Sequence, residues 1–219
     1  MTSTEEESLL RVTEIFYSLQ GETRTAGLPT VFIRLTGCPL RCGYCDTEYA
    51  FSGGERQSIE HILNETAGYN AHYITVTGGE PLAQKNCLTL LSQLCDKGYE
   101  VSIETSGALD ISDIDPRVAI VMDLKTPASG EESKNRLENI SQLKKTDQIK
   151  FVICDRNDYE WSKQKLSEFD LLNKVEILFS PVHGEKMAQQ LADWILQDNL
   201  QVRFQLQLHK YLWNDEPGR

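Results

Sequence analysis

The chain has 219 residues, enough for one domain with a sizeable core. Its 40% apolar and 25% charged residues are ordinary for a globular protein, and its net charge of −11 argues against nucleic-acid backbones and anionic membranes as partners. No apolar run of about 18 residues occurs, and the acidic start "MTSTEEESLL" lacks the basic and apolar parts of a secretory signal, so we expect no membrane span and a cytoplasmic setting.

In chain order, residues 1–10 read as a flexible lead-in. "RVTEIFYSLQGE" alternates like a strand and turns at Gly21. "TVFIRLTG" (30–37), rich in β-branched and aromatic residues, is a strand, and a cysteine-bearing loop follows it. "SIEHILNETAG" is predicted as a helix capped by Ser58 and ended by Gly68. "HYITVTGG" (72–79) is a strand, and "LTLLSQLCDKG" has helical spacing up to Gly98. "EVSIETSG" and "RVAIVMDLK" are strands, and "SKNRLENISQL" is compatible with a helix. "DQIKFVIC" and "KVEILFSPV" are strands, each followed by a helical pattern, "DYEWSKQKLSEF" and "EKMAQQLADWILQDN". Alternation of Val202, Phe204, Leu206 and Leu208 predicts a last strand in "QVRFQLQLHKYL".

Strands separated by helices imply parallel βαβ units and an α/β fold. Eight units would close a barrel in about 250 residues, more than this chain offers once its cysteine loop is set aside. The expectation is an incomplete, splayed parallel β/α barrel of about six strands. A single domain is expected over residues 11–213, with 214–219 as a tail.

In such folds function gathers at the carboxyl ends of the strands. The cysteine loop, "TGGEP", "ETSG", "DLK", "SPVHG" and "HKYL" all fall there. Turns alone would use the same Gly, Ser and Pro residues, so the common placement carries more than any one motif.

The loop "GCPLRCGYCDTEYAF" sets Cys38, Cys42 and Cys45 within eight residues as C-x3-C-x2-C. Structural zinc would need a second cysteine pair or suitably spaced histidines, and His61 and His72 are not so spaced. An electron-carrying iron–sulfur protein would supply four thiolates per cluster. Three thiolates on a four-iron cluster leave one iron open to another ligand. Cys87, Cys95 and Cys154 sit in apolar-patterned segments and read as core thiols rather than disulfide partners.

This spacing resembles the signature of the radical S-adenosylmethionine (SAM) superfamily, and "TGGEP" resembles its GGEP motif. The resemblance implies a [4Fe-4S] cluster on Cys38, Cys42 and Cys45, with SAM chelating the open iron and yielding a 5′-deoxyadenosyl radical on reduction. It further implies SAM contacts at Tyr44, Cys45, Asp46, Gly78, Gly79, Glu80, Ser106, Asp123, Leu124 and Lys125. The plain alternatives are a packing tyrosine at Tyr44, a ligand-free turn at Gly78–Gly79 and a solvated Lys125.

"YSLQGE" (17–22), Arg34, Asp46-Thr47 after the last cysteine, and the terminal "QLQLHKYL" together resemble the 7-carboxy-7-deazaguanine synthase family over most of the chain. That implies a lyase acting on 6-carboxy-5,6,7,8-tetrahydropterin in queuosine and deazapurine biosynthesis. Hydrogen is abstracted from C6, and ring contraction with loss of ammonia gives 7-carboxy-7-deazaguanine. Implied substrate contacts are Leu19, Gln20, Gly21, Glu22, Arg34, Thr77 and His209, with Mg²⁺ on Thr47. A homodimer and a flavodoxin or ferredoxin as electron donor are also implied. Arg34 as a surface ion-pair partner and Thr47 as a loop cap remain open. A glycyl-radical-enzyme activase, which acts on a protein partner, is the rival enzyme; it shares the cysteine and GGEP-like motifs but not "SLQGE" ahead of "CDT".

Overall fold

A computed structural model describes residues 8–214, 216 and 218. Nine strands form one sheet, in the order β3-β1-β2-β4-β5-β6-β7-β8-β9. β1 (Leu9–Leu19) pairs antiparallel with β2 (Pro29–Leu35) and with β3 (Glu55–Ser58). From β2 onward every neighbour is parallel: β4 (Tyr73–Gly78), β5 (Glu100–Thr105), β6 (Ala119–Asp123), β7 (Gln148–Ile153), β8 (Glu176–Pro181) and the two-residue β9 (Arg203–Phe204). The outermost strands β3 and β9 do not meet, so the sheet is an open partial barrel and not a closed one.

Local chemistry explains the helices. α1 (Ile59–Ala67) starts where the Ser58 hydroxyl accepts the His61 backbone N–H, and it buries Ile59, Ile62, Leu63 and Thr66 at helical spacing. α2 (Cys87–Asp96) buries Cys87, Leu90, Leu91 and Leu94, and Gly98 follows its end in the left-handed region at φ 86°. α3 (Arg156–Glu168) is capped by Asp155, which accepts from the Asp158 N–H. α4 (Glu185–Gln197) buries Leu191 and Ile195. α5 (Leu208–Trp213) is the last element. One apolar cluster joins the helices to the strands, with Val31, Ile33, Leu35, Val76, Ile103, Met122, Phe151 and Phe179 all fully buried.

Four expectations change. Leu9 and Leu10, expected in the flexible lead-in, already pair with Ser58 and Gln57; residues 1–7 lie outside the described set. Residues 55–58 form a strand the sequence reading did not separate from the following helix. The segment expected to be compatible with a helix at 133–143 forms short 3-10 turns, Glu132–Lys134 and Leu137–Gln142, because its apolar stripe is too short to bury an α-helix. Finally, the last alternating segment contributes only Arg203–Phe204 to the sheet and then turns into α5, which crosses the carboxyl ends of the strands. Among the described residues no helix is long and apolar enough to cross a membrane.

Candidate active site

A cleft of about 330 Å³ opens at the carboxyl ends of the parallel strands. Its first wall is the end of β1 and the segment after it, Leu19, Gln20, Gly21 and Glu22, together with Arg34 of β2. Gln20 is buried; its amide nitrogen donates to the Thr75 hydroxyl (3.1 Å) and to Glu104 (3.4 Å), and its amide oxygen accepts the Glu22 N–H (3.1 Å). Arg34 donates through Nε to Glu14 Oε1 at 2.7 Å. Thr77 of β4 also faces the cleft and donates to Glu104 Oε2 at 3.1 Å.

The opposite wall begins with the cysteine loop. Cys38, Cys42 and Cys45 all reach the cleft and are partly exposed. Burial pushes each of these thiols up, so iron must displace a proton to bind there. Of the other cysteines, Cys87 is sealed in the core, and Cys95 and Cys154 are not on the cleft wall. Among the described residues no group of three His, Cys, Asp or Glu side chains is placed to hold a metal ion. Three thiols spread along one loop match the way thiolates hold separate corners of a multi-iron cluster.

Gly78 and Gly79 end β4 against the root of that loop. A Cβ on Gly78 would collide with the Leu35 carbonyl, and one on Gly79 would come within 2.6 Å of Cys38 Cβ. These glycines let two strand ends close on each other, in addition to any approach to a ligand. Glu80 follows, fully buried and off the cleft. Its carboxylate accepts from the Thr105 hydroxyl (2.9 Å), the Ser106 N–H (2.7 Å), the Ser106 hydroxyl and the Leu82 N–H (3.0 Å). Glu80 is thus a bracket behind Ser106, which itself lines the cleft. Leu124 is likewise a core side chain and not on the wall.

The floor carries a row of charges. Lys125 Nζ is 2.8 Å from Asp123 Oδ2, and Lys150 Nζ is 2.5 Å from Glu22 and 3.8 Å from Asp123 Oδ1. Burial opposes the charges of Asp123, Lys125 and Lys150. Lys125 and Lys150 nonetheless hold the Asp123 carboxyl below its usual range, and Asp123 keeps both lysines above theirs. Glu104 goes the other way: burial raises its carboxyl, although Lys150 and the Thr77 hydroxyl pull it down. Tyr44 Oη and Asp123 Oδ1 line this region, buried and without a hydrogen-bond partner among the described residues. Polar atoms so placed fit a ligand that brings its own hydrogen bonds.

The roof is the terminal segment. Leu208 N–H donates to the Gly21 carbonyl at 3.0 Å, and the His209 ring packs so closely on Gly21 that a Cβ there would strike Nδ1. Lys210 (2.8 Å) and Gln207 (3.2 Å) both bond Asp46 Oδ2, while Thr47 donates to Asp46 Oδ1 (2.9 Å). Burial would raise the Asp46 carboxyl, but Lys210 and these hydrogen bonds hold it well below its usual range.

All seven expected substrate contacts therefore line one cleft, together with Thr47 and all the expected SAM contacts except Glu80 and Leu124. The sequence reading missed Glu104 and Lys150 as lining residues. A lysine within the otherwise apolar "IKFVI" was the available signal, since a charge in a buried parallel strand needs a reason.

Comparison with known proteins gives the lineage. The profile described as "Radical SAM superfamily" matches residues 32–127. The 7-carboxy-7-deazaguanine synthase of Chlorobaculum tepidum is 42% identical over 96% of this chain and 97% of its own. That of Koribacter versatilis is 41% identical over 94% of this chain and 98% of its own. Among solved structures, QueE from Escherichia coli superposes with a TM-score of 0.76 at 24% identity, covering 92% of this chain and 95% of that one, which speaks for the fold alone. With relatives this similar along nearly their whole length, the chain belongs to the 7-carboxy-7-deazaguanine synthase family of the radical SAM superfamily.

Proposed function

We propose that this protein converts 6-carboxy-5,6,7,8-tetrahydropterin to 7-carboxy-7-deazaguanine with loss of ammonia, as a radical SAM lyase serving queuosine or related deazapurine synthesis. The observation that carries the reading is the shared cleft: the three cysteines and the Gln20–Glu22 edge line the same cavity. When bound, the cluster and SAM supply a 5′-deoxyadenosyl radical. Cys38, Cys42 and Cys45 would hold the cluster. Tyr44, Asp46, Gly78, Gly79, Ser106, Asp123 and Lys125 would bind SAM, with Glu80 and Leu124 acting from behind the wall.

The remaining residues orient the substrate. A pterin presents a mixed edge of donors and acceptors, which Gln20 and Glu22 can match in complement. Glu104 extends that edge: a carboxyl raised by burial can donate when protonated and accept when ionised. Arg34 can take the substrate carboxylate through two parallel N–H bonds. Leu19, Gly21, Thr77 and His209 complete the enclosure and limit access of water to the reacting carbon. Mg²⁺ is assigned to Thr47, whose hydroxyl would be one oxygen ligand among waters and substrate oxygens. A homodimer, a one-electron donor of the flavodoxin or ferredoxin kind and a cytoplasmic setting belong to the same proposal.

The test is product identity. Anaerobically reconstituted protein, given SAM, a reductant and the carboxytetrahydropterin, should release 7-carboxy-7-deazaguanine, read by mass spectrometry. SAM turnover with the pterin left intact would sink the assignment, and 5′-deoxyadenosine formed only with a protein partner would favour an activase.

A further inference from the structure

We propose that Glu14 is a positioning residue for Arg34, and that it fixes the direction from which the guanidinium receives a carboxylate. This rests on the reading above, in which Arg34 takes the carboxylate of the pterin. Glu14 lies on β1 directly across from Arg34 on β2. Its Oε1 accepts from Arg34 Nε at 2.7 Å and from the Tyr49 hydroxyl at 2.8 Å. The Arg34 guanidinium lies near the Phe16 and Tyr49 rings, 5.7 and 5.8 Å from their centroids, and Phe16 stacks on Phe32 at 5.0 Å. Glu14 thus occupies the Nε edge. The two terminal nitrogens, which make no hydrogen bond among the described residues, remain as the fork for a ligand.

The register shows that this pairing depends on a local irregularity. Val12 opposes Leu35 and Glu14 opposes Arg34, so Thr13 is an extra residue on β1. Without that bulge Thr13, not Glu14, would face Arg34, because a one-residue slip exchanges the faces of a strand. The bulge re-aims a carboxylate at an arginine on the cleft wall. Tyr49 adds a second tie. It belongs to the turn Glu48–Phe51, directly after Asp46 and Thr47, so the same Glu14 oxygen links Arg34 to the loop that carries the cysteines.

An anion beside Arg34 has two opposing effects on an incoming carboxylate: it repels the charge, and it holds the fork in one orientation. Positioning and repulsion predict opposite results, which makes the proposal testable. In reconstituted enzyme, Glu14→Ala should raise KM for the carboxytetrahydropterin about tenfold, with the loss in KM rather than kcat, as expected when a bidentate contact loses its orientation. Glu14→Gln keeps an acceptor oxygen for both bonds and should stay within about threefold of wild type. Affinity for tetrahydropterin without the carboxylate, measured by competition, should not change in either variant. Tyr49→Phe, which leaves the Arg34 pair intact, should give an intermediate KM and serves if Glu14→Ala does not fold. Unchanged KM, equal weakening of both ligands, or tighter carboxylate binding in both Glu14 variants would overturn the proposal. Arg34→Ala separates the two layers. If it binds the carboxylated pterin as wild type does, the Arg34 assignment fails and this proposal with it. If it weakens binding while Glu14→Ala does not, only the positioning role fails.

Discussion

Glu80 illustrates how a motif residue can carry stability and site geometry together. A carboxylate that only touched a bound ligand would be dispensable to the ligand-free protein. Here four donors from Leu82, Thr105 and Ser106 converge on a fully buried side chain. Glu80→Ala strands those donors, and each buried group left unpaired costs about 1–3 kcal/mol. The expected loss is about 3 kcal/mol in denaturant unfolding of the cluster-free protein, since some donors will find water. Glu80→Gln should lose less, because it keeps one oxygen acceptor while turning a new donor toward existing ones. Cluster-free stability equal to wild type in Glu80→Ala would return Glu80 to a purely ligand-binding role. The sequence shows "GGEP" plainly, but not the direction in which its glutamate points, which depends on the neighbouring strand β5 bringing Thr105, and Ser106 just after it, beside it.

Among the elements, α5 was the least legible. Leu206, Leu208 and Leu212 fit an alternating pattern, while Leu208 and Leu212, four apart, also fit a helical face, and over so short a segment periodicity does not choose. Packing decides: β8 pairs with Arg203 and Phe204 and accepts the Gln205 N–H on the Phe179 carbonyl (2.9 Å), and beyond that the chain ties instead to Gly21 and Asp46. α1 was legible because cap, stripe and following glycine agree, and α2 because its stripe and Gly98 do, although Asn86 makes no side-chain cap bond. The anchoring of α5 gives a pH prediction. The Asp46 carboxyl is held below its unfolded value, near 3.8, so its contribution is present above that pH and lost as pH falls through the folded value. Amide exchange over residues 207–213, corrected for the intrinsic rate, should therefore accelerate in acid below about pH 4 before the central strands respond. Lys210→Met should give the fast exchange already at neutral pH, and Gly21→Ala should do the same by lifting His209. Slow exchange at neutral pH in both variants would show that α5 is held by something other than these two contacts.

For the molecule as a whole, the alternation of strands and helices disclosed the parallel sheet, but chain length disclosed the incompleteness of the barrel only through the space a full one would need. The links between β5 and β6, and between β6 and β7, contain no α-helix among the described residues; turns cover that stretch instead. Asn139 stands in for a helix there, fully buried, donating to the carbonyls of Gly107 (3.1 Å) and Leu109 (2.7 Å). Side-chain hydrogen bonds of this kind leave no periodic trace, so this part of the fold was hidden from pattern reading. The sheet is nevertheless continuous from β3 to β9, and one apolar cluster spans it. We infer that residues 11–213 unfold as a single cooperative domain. Ile103 sits at the middle of this cluster on β5, with no exposed surface. Ile103→Ala should cost about 2–5 kcal/mol, the range for a buried aliphatic truncation. If the chain is one unit, the variant shifts one sharp transition, with calorimetric and van't Hoff enthalpies in agreement for the cluster-free protein. Two transitions, of which Ile103→Ala moves only one, would divide the sheet into separately folding halves. The cleft would then lie where they meet, because the cysteine loop follows β2 and the Lys150 side chain comes from β7.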